Sequence, residues 1–310
     1  MMNIDAKLKN FIAKRPEVVA AFGYGSGVFK QTGYDENSLP QIDMIFVVED
    51  VQAWHQENRK RNREDYSWTG ACLLPSPIVH CMSGKTHIIY QSNIEEPDGV
   101  YKYGMISRAE FEQAMETWSS FYVPGRLQKP VYEIYTNDRI DGLLYQNRRA
   151  AIVAAACFLP QETTCFELYM KLCSLSYYGD SRMYVAENPE KVRNIVTGSY
   201  DRIHEIYEPI IGDCPFLQLS GEKLMVDHAV LRKEAKELPE SLRQYLQKSD
   251  AYGHGIAGIQ TGIQTFLERM NFSESVGQTA KGLLSNGLLR SVSYVIPKLQ
   301  KKFGKQNTKK

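Results

Sequence analysis

Residues 18–50, VVAAFGYGSGVFKQTGYDENSLPQIDMIFVVED, decide how the rest of the chain is read. Residues 18–22 form a short continuous apolar run, as a buried strand requires, and lead into Gly23, Gly25, Ser26 and Gly27. Turn residues crowd 33–40, and Ile42–Val48 is a second buried strand interrupted by one charge, Asp43. Two nucleotide-binding patterns fail here. A dinucleotide fingerprint needs G-x-G-x-x-G opening a helix, whereas these glycines give G-x-G-x-G leading into a loop. A P-loop needs Gly-Lys-Ser/Thr, and Lys30 is followed by Gln31.

A third pattern fits better. Nucleotidyltransferases of the polymerase-beta type place Gly-Ser at a strand end and a metal-binding acid on the next strand. Glycine lets backbone N–H groups approach a triphosphate, and the serine hydroxyl adds a donor. An acid beside them can hold Mg²⁺ between the α-phosphate and the attacking oxygen. Gly25-Ser26 followed by Asp43 has that order. Such strands usually carry two acids at i and i+2, on one face. Asp43 instead has Gln41 and Ile45 at those positions, leaving Glu49, Asp50 and Asp98 as candidates for the second carboxylate. The competing reading is a plain hairpin with Asp43 at a strand edge.

Working outward, residues 5–15 read as a helix closed by Pro16, and 53–67 as a polar, basic helix. Residues 70–106 read as short β-like runs, including VHCM, THIIYQ and VYKYGMIS, and 107–120 as a helix. Beyond about residue 140 the pattern turns helical, at 143–159, 162–178, 189–196, 200–211 and 230–248. The glycine-rich DAYGHGIAGIQTG at 250–262 reads as a linker or the flexible start of a tail. The end of the chain mixes apolar and basic residues.

The 310 residues are 43% hydrophobic, enough for two domains with sizeable cores. A net charge of +1 gives no global case for nucleic acid or membrane. The six cysteines show no CxxC pair, which suits a reducing compartment. The N-terminal stretch has no apolar signal core, and the longest apolar run, at 150–159, is about half a membrane span. His80, Cys81 and His87 match no zinc spacing. His55 reads equally as a nucleotide contact, a cap or a supporting residue, and Arg59, Lys60, Arg61 and Arg63 read as a solvated face.

The extended pattern is more specific. FGYGSGVF, PQIDMIFVV, WH-x-x-N-x-x-x-N-x-x-x-YS at 54–67, KYGMIS at 102–107, GRLQKPV at 125–131, LSYYGDSRM at 175–183 and KVRNIV at 191–196 resemble the mitochondrial-type CDP-diacylglycerol synthase family in register. That resemblance implies an α/β (α+β) nucleotidyltransferase domain at 1–140 and a helical, winged-helix-like domain at 141–250. A basic amphipathic, membrane-contacting tail follows at 251–310. It implies a Mg²⁺-dependent transfer from CTP to phosphatidate, giving CDP-diacylglycerol and pyrophosphate. Asp43 would hold the metal, with Ser26 and Lys102 also catalytic. Tyr24, Gly25, Ser26, Gly27, Arg126, Lys129, Asp180 and Arg182 would bind CTP. Arg290, Lys298, Lys301 and Lys302 would meet an anionic membrane, near Pro297, which should kink or end a helix.

The expected partners are CTP and phosphatidate in an anionic membrane, without nucleic acid, and self-association into a homo-oligomer stays open. The expected location is the cytoplasmic face of a bacterial membrane or, in a eukaryote, the matrix face of the mitochondrial inner membrane. Two alternatives remain: a nucleotidyltransferase acting on RNA, protein or a small molecule, and a membrane adaptor without chemistry.

Overall fold

A computed structural model describes residues 3–29, 41–182 and 190–304, with the side chains of 83, 280 and 282–304 excluded. The expected loop at 33–40 therefore lies outside the described residues, as do the side chains of Arg290, Lys298, Lys301 and Lys302.

The first half is a five-stranded mixed sheet between helices. In chain order the elements are α1 (Ile4–Ala13), β1 (Ala20–Tyr24), β2 (Ile42–Val48), α2 (Val51–Arg61), α3 (Trp68–Leu73) and α4 (Ile78–Ser83). Then come β3 (Ile89–Glu96), β4 (Gly99–Ser107), α5 (Arg108–Thr117), the single turn α6 (Pro124–Leu127) and β5 (Val131–Tyr135). The strand order is β3-β4-β2-β1-β5, with β2 and β4 parallel and the other pairs antiparallel. Alternation along β2 sends Met44, Phe46 and Val48 to one face, where α1 contributes Leu8, Phe11 and Ile12, and α2 contributes Trp54. Ile45 and Val47 point the other way, against Phe111 and Met115 of α5. Asp43 shares that second face.

The second half is mostly helical: α7 (Asp138–Ala156), α8 (Cys165–Ser174), α9 (Lys191–Gly198), α10 (Tyr200–Gly212), α11 (His228–Glu234) and α12 (Glu240–Lys248). A small antiparallel sheet, β6 (Glu162–Thr164), β7 (Leu217–Ser220) and β8 (Lys223–Val226), lies among them in the order β6-β8-β7. Helix α8 starts where it does because Thr164 and Glu167 form a reciprocal capping box. Helix α7 joins the halves: Ile140, Leu143 and Leu144 pack on the first sheet, while Ala151–Ala156 enter the second core.

The polar helix carrying WH-x-x-N is a core element. Asp65, 1% exposed, accepts two hydrogen bonds from the Arg15 guanidinium, each 2.9 Å, and one from the Tyr103 hydroxyl at 2.6 Å. Asn58 donates to Asp65, Tyr66 and Tyr103, and His55 Nδ1 pairs with the Tyr66 hydroxyl at 2.9 Å. Burial pushes the His55 imidazole down to about 3, so it is neutral. This network explains the block as support for the sheet rather than nucleotide contact.

Several expectations change. The VHCM segment is helical, within α4, because a short apolar run between Pro77 and Gly84 suits either element and its packing on α2 decides. The basic helix ends at Arg61 instead of 67. The expected helix at 162–178 begins as strand β6, and that at 230–248 divides at Pro239. The expected linker at 250–262 is a 3-10 turn, Ala251–His254, running into one long helix, α13 (Gly255–Gly304). Ile259, Ile263 and Leu267 of α13 are fully buried in the second core, and the helix continues past Pro297. Among the described residues no helix is long and apolar enough to cross a membrane.

Candidate functional site

The turn after β1 is built on backbone accommodation. Gly25 sits at φ +79°, and its carbonyl accepts from the amides of Val28 and Phe29 at 3.1 and 3.0 Å. A Cβ on Gly27 would stand 2.4 Å from the Gln41 carbonyl oxygen, so only glycine lets the turn lie on the start of β2. A Cβ on Gly25 would be 3.3 Å from Asp43 Oδ2. The Gly25-Ser26-Gly27 turn thus abuts the Asp43 carboxylate.

Strand register then lines up a row. Tyr24 of β1 pairs with Asp43 of β2, which pairs with Lys102 of β4. Residues opposite one another share a face. Lys102 Nζ is 3.4 Å from Asp43 Oδ1 and 4.5 Å from the centre of the Tyr90 ring. That Oδ1 is buried and accepts no hydrogen bond. The Tyr24 hydroxyl donates to that of Tyr90 at 3.2 Å.

Near this row lies Arg126, which interacts electrostatically with Tyr24 and Tyr90, and it leads to a cationic group shared with the second half. Arg126 is fixed through α6: Asn147 of α7 donates to the Pro124 carbonyl at 3.1 Å, and Arg126 Nη1 donates to the Tyr122 carbonyl at 2.7 Å. Its guanidinium stacks 3.5 Å from the Tyr122 ring centre. Lys129 donates to Ser176 Oγ at 2.6 Å and lies 4.5 Å from the Tyr177 ring centre. Burial, with the charges of Arg126, Lys191 and Arg182, brings the Lys129 ammonium down to about 7. Asp180, 2% exposed, forms a fork with the Arg182 guanidinium, which holds its carboxyl below the usual range against the cost of burial.

Helix α13 holds these pieces in place. Asn271 donates to the carbonyls of Leu175 and Tyr178 at 3.0 and 2.9 Å, and Ser275 Oγ accepts from the Ser181 amide at 3.1 Å. Gly179, at φ +73°, lets the turn approach so closely that a Cβ would sit 2.4 Å from the Glu268 carbonyl oxygen. Glu274 accepts from the Phe121 amide at 3.0 Å, while its other oxygen is buried without a hydrogen bond. Burial pushes the Glu274 carboxyl up to about 7. Glu274 lines the same cleft as Arg126, Asp180 and Arg182.

The candidate residues thus fall into two groups, Tyr24, Gly25, Ser26, Gly27, Asp43 and Lys102 on the sheet, and Arg126, Lys129, Asp180 and Arg182 beyond it, with Arg126 the one near Tyr24. The nominated second carboxylates are engaged elsewhere. Glu49 pairs with Arg108, Asp50 caps α2 at the opposite end of β2, and Asp98 accepts from the Tyr101 hydroxyl. Among the described residues no three His, Cys, Asp or Glu side chains cluster as metal ligands.

The family model described as "Phosphatidate cytidylyltransferase, mitochondrial" matches residues 8–301. The chain belongs to the mitochondrial phosphatidate cytidylyltransferase family. Proteins of that name from Danio rerio and Mus musculus are 30% and 31% identical, over 91% and 95% of this chain and 89% and 94% of theirs. The Schizosaccharomyces pombe protein is 30% identical over 91% of this chain and 79% of its own.

Within this family member, sequence reading missed the contribution of α13, namely Asn271, Glu274 and Ser275, and the tyrosines Tyr90 and Tyr122. One signal was present. Asn271, Glu274, Ser275 and Gln278 recur at three and four residues, a polar stripe along one helical face.

Proposed function

We propose that this chain is a nucleotidyltransferase that moves the cytidylyl group of CTP onto phosphatidate. The products are CDP-diacylglycerol and pyrophosphate. The observation that carries the reading is the Tyr24–Asp43–Lys102 row, beside a glycine-serine turn and the half-buried Arg126, in a chain of this family.

A phosphate oxygen of phosphatidate attacks the α-phosphorus of CTP. The new P–O bond forms as the bond to the β-phosphate oxygen breaks, and pyrophosphate leaves with the electron pair. No strong base is needed, because a phosphomonoester is largely anionic near neutral pH. Catalysis is positioning and charge neutralisation. The Gly25-Ser26-Gly27 turn offers backbone and hydroxyl donors to the β- and γ-phosphates. Arg126, Lys129 and Arg182 neutralise the triphosphate, and Asp180 orients Arg182. Lys102 is placed to stabilise charge developing on the reacting phosphoryl oxygens.

The buried Asp43 Oδ1, which accepts no hydrogen bond and lies 3.4 Å from the Lys102 ammonium, suits a hard divalent cation, which commonly takes one or two carboxylates and completes its shell with phosphates and water. Asp43 would hold Mg²⁺, which supplies Lewis-acid polarisation of the phosphoryl oxygens when bound. The five-stranded sheet supports assignment to the nucleotidyltransferase fold. The β6-β8-β7 sheet among α7, α8 and α10 supports a winged-helix-like second domain. With no spanning helix among the described residues, a peripheral enzyme at the mitochondrial inner membrane's matrix face fits the family.

The test is purified protein with Mg²⁺, labelled CTP and phosphatidate vesicles, with ATP, GTP, UTP and RNA as competitors. Label in CDP-diacylglycerol, undiminished by the competitors, is expected. Label in RNA or protein, or no transfer, contradicts the reading.

A further inference from the structure

Residues 66–94 contain no Asp or Glu, in a chain with 36 acidic residues. This stretch includes α3 and α4, whose Ala71, Leu74 and Val79 are buried against the sheet. Their outer side is apolar instead of charged. Trp68 is 79% exposed and Ile78 is 51% exposed. Trp68 sits in the first turn of a capped helix, where Ser67 Oγ accepts from the Gly70 amide at 2.9 Å, so its exposure is built into an ordered element.

Cations border the same face. Helix α2 ends in Arg59, Lys60 and Arg61, and Arg59 Nη1 donates to the Ala71 carbonyl at 2.9 Å, tying that basic end to α3. Arg63 donates to the Tyr66 carbonyl at 3.0 Å, and Lys85 follows α4. Glu57 pairs with Lys60 and Arg61 and Glu64 lies nearby in sequence, leaving the border net positive. Helix α13 packs against α3 as well.

Exposed indole and aliphatic groups ringed by Lys and Arg match the chemistry of a bilayer interface. Tryptophan favours the headgroup level, and each basic residue near an anionic surface adds about 1 kcal/mol. We propose that the face formed by α3, α4 and the basic end of α2 docks on an anionic lipid surface, with Trp68 and Ile78 entering the headgroup layer. The choice of lipid over a protein partner rests on the phosphatidate reading above. The exposure and charge pattern do not.

The chain provides its own probe. Trp54 and Trp118 are buried, so Trp68 is the accessible indole of the three. The full-length protein is mixed with vesicles of brominated phosphatidylglycerol and phosphatidylcholine, or of brominated phosphatidylcholine alone. Quenching of Trp68 is expected with the anionic vesicles and much less with the neutral ones. A Trp68→Ser/Ile78→Ser variant should partition onto anionic vesicles about tenfold more weakly, since interfacial binding scales with buried apolar area. Its CTP affinity should match the wild type, which checks the fold. Unquenched Trp68 on co-sedimenting vesicles overturns the proposal, as does wild-type partitioning by the double variant. So does self-association that the substitutions abolish. Dissolved short-chain phosphatidate separates the two readings: no transfer to it sinks the proposed function. Transfer without Trp68 quenching sinks only this surface.

Discussion

Asp43 and Lys102 lie opposite one another on parallel strands, with Nζ 3.4 Å from Oδ1. The pairing sets an anion and a cation side by side, close to Tyr24 and Tyr90, with which Arg126 interacts. A nucleotide triphosphate with its metal carries both signs, and this pair can meet both. Replacing Lys102 with Ala should lower turnover by about a hundredfold or more, as loss of a preorganised electrostatic group does. Steady-state kinetics with CTP varied would check it; an unchanged kcat would remove Lys102 from the chemistry.

Lys129 predicts a proton linkage. Its ammonium titrates at about 7 in the empty protein, and an arriving triphosphate favours the charged form. CTP binding therefore takes up a proton as pH rises above 7, and affinity falls with rising pH in that range. Calorimetry in buffers of different ionisation enthalpy measures the uptake. In Lys129→Met that contribution should vanish; equal uptake in both proteins would contradict the assignment.

Glu274 predicts a stability trend. Its carboxyl moves from an ordinary 4.5 to about 7 on folding, so between those values the folded state holds a proton that the unfolded state has lost. Its contribution to stability therefore falls as pH rises through that window and is level above it. Glu274→Gln should gain Tm relative to wild type across the same interval. A Tm difference that does not change with pH would refute this.

The first sheet rests on the Arg15–Asp65 pair, both side chains 1% exposed. Arg15→Met leaves a buried carboxylate unpaired and should cost about 3–5 kcal/mol in denaturant unfolding. A loss below about 1 kcal/mol, the range of exposed pairs, would show that solvent reaches Asp65.

The front of the molecule was legible because its signals are local. Two apolar runs, a glycine turn and one intruding acid specify β1, β2 and the candidate site at their junction. What stayed hidden depends on long-range packing. The glycines at 250–262 resemble a linker, yet Gly258 is there because the Ala251 carbonyl would stand 2.4 Å from a Cβ, and Leu246 packs closely over Gly262. Close helix packing and chain flexibility call for the same residue. Likewise Glu274 and Asn271 reach the site only because α13 crosses both halves, a placement no sequence window contains.

The central claim is that cytidylyl transfer occurs at Asp43. CDP-diacylglycerol formation from labelled CTP and phosphatidate, measured for the wild type and for Asp43→Asn at equal folded concentration, tests it most directly. The account predicts steady product from the wild type and at least a thousandfold less from the near-isosteric variant, at the upper end of single-group electrostatic losses, roughly 10²–10³. Near-normal turnover by Asp43→Asn would contradict it.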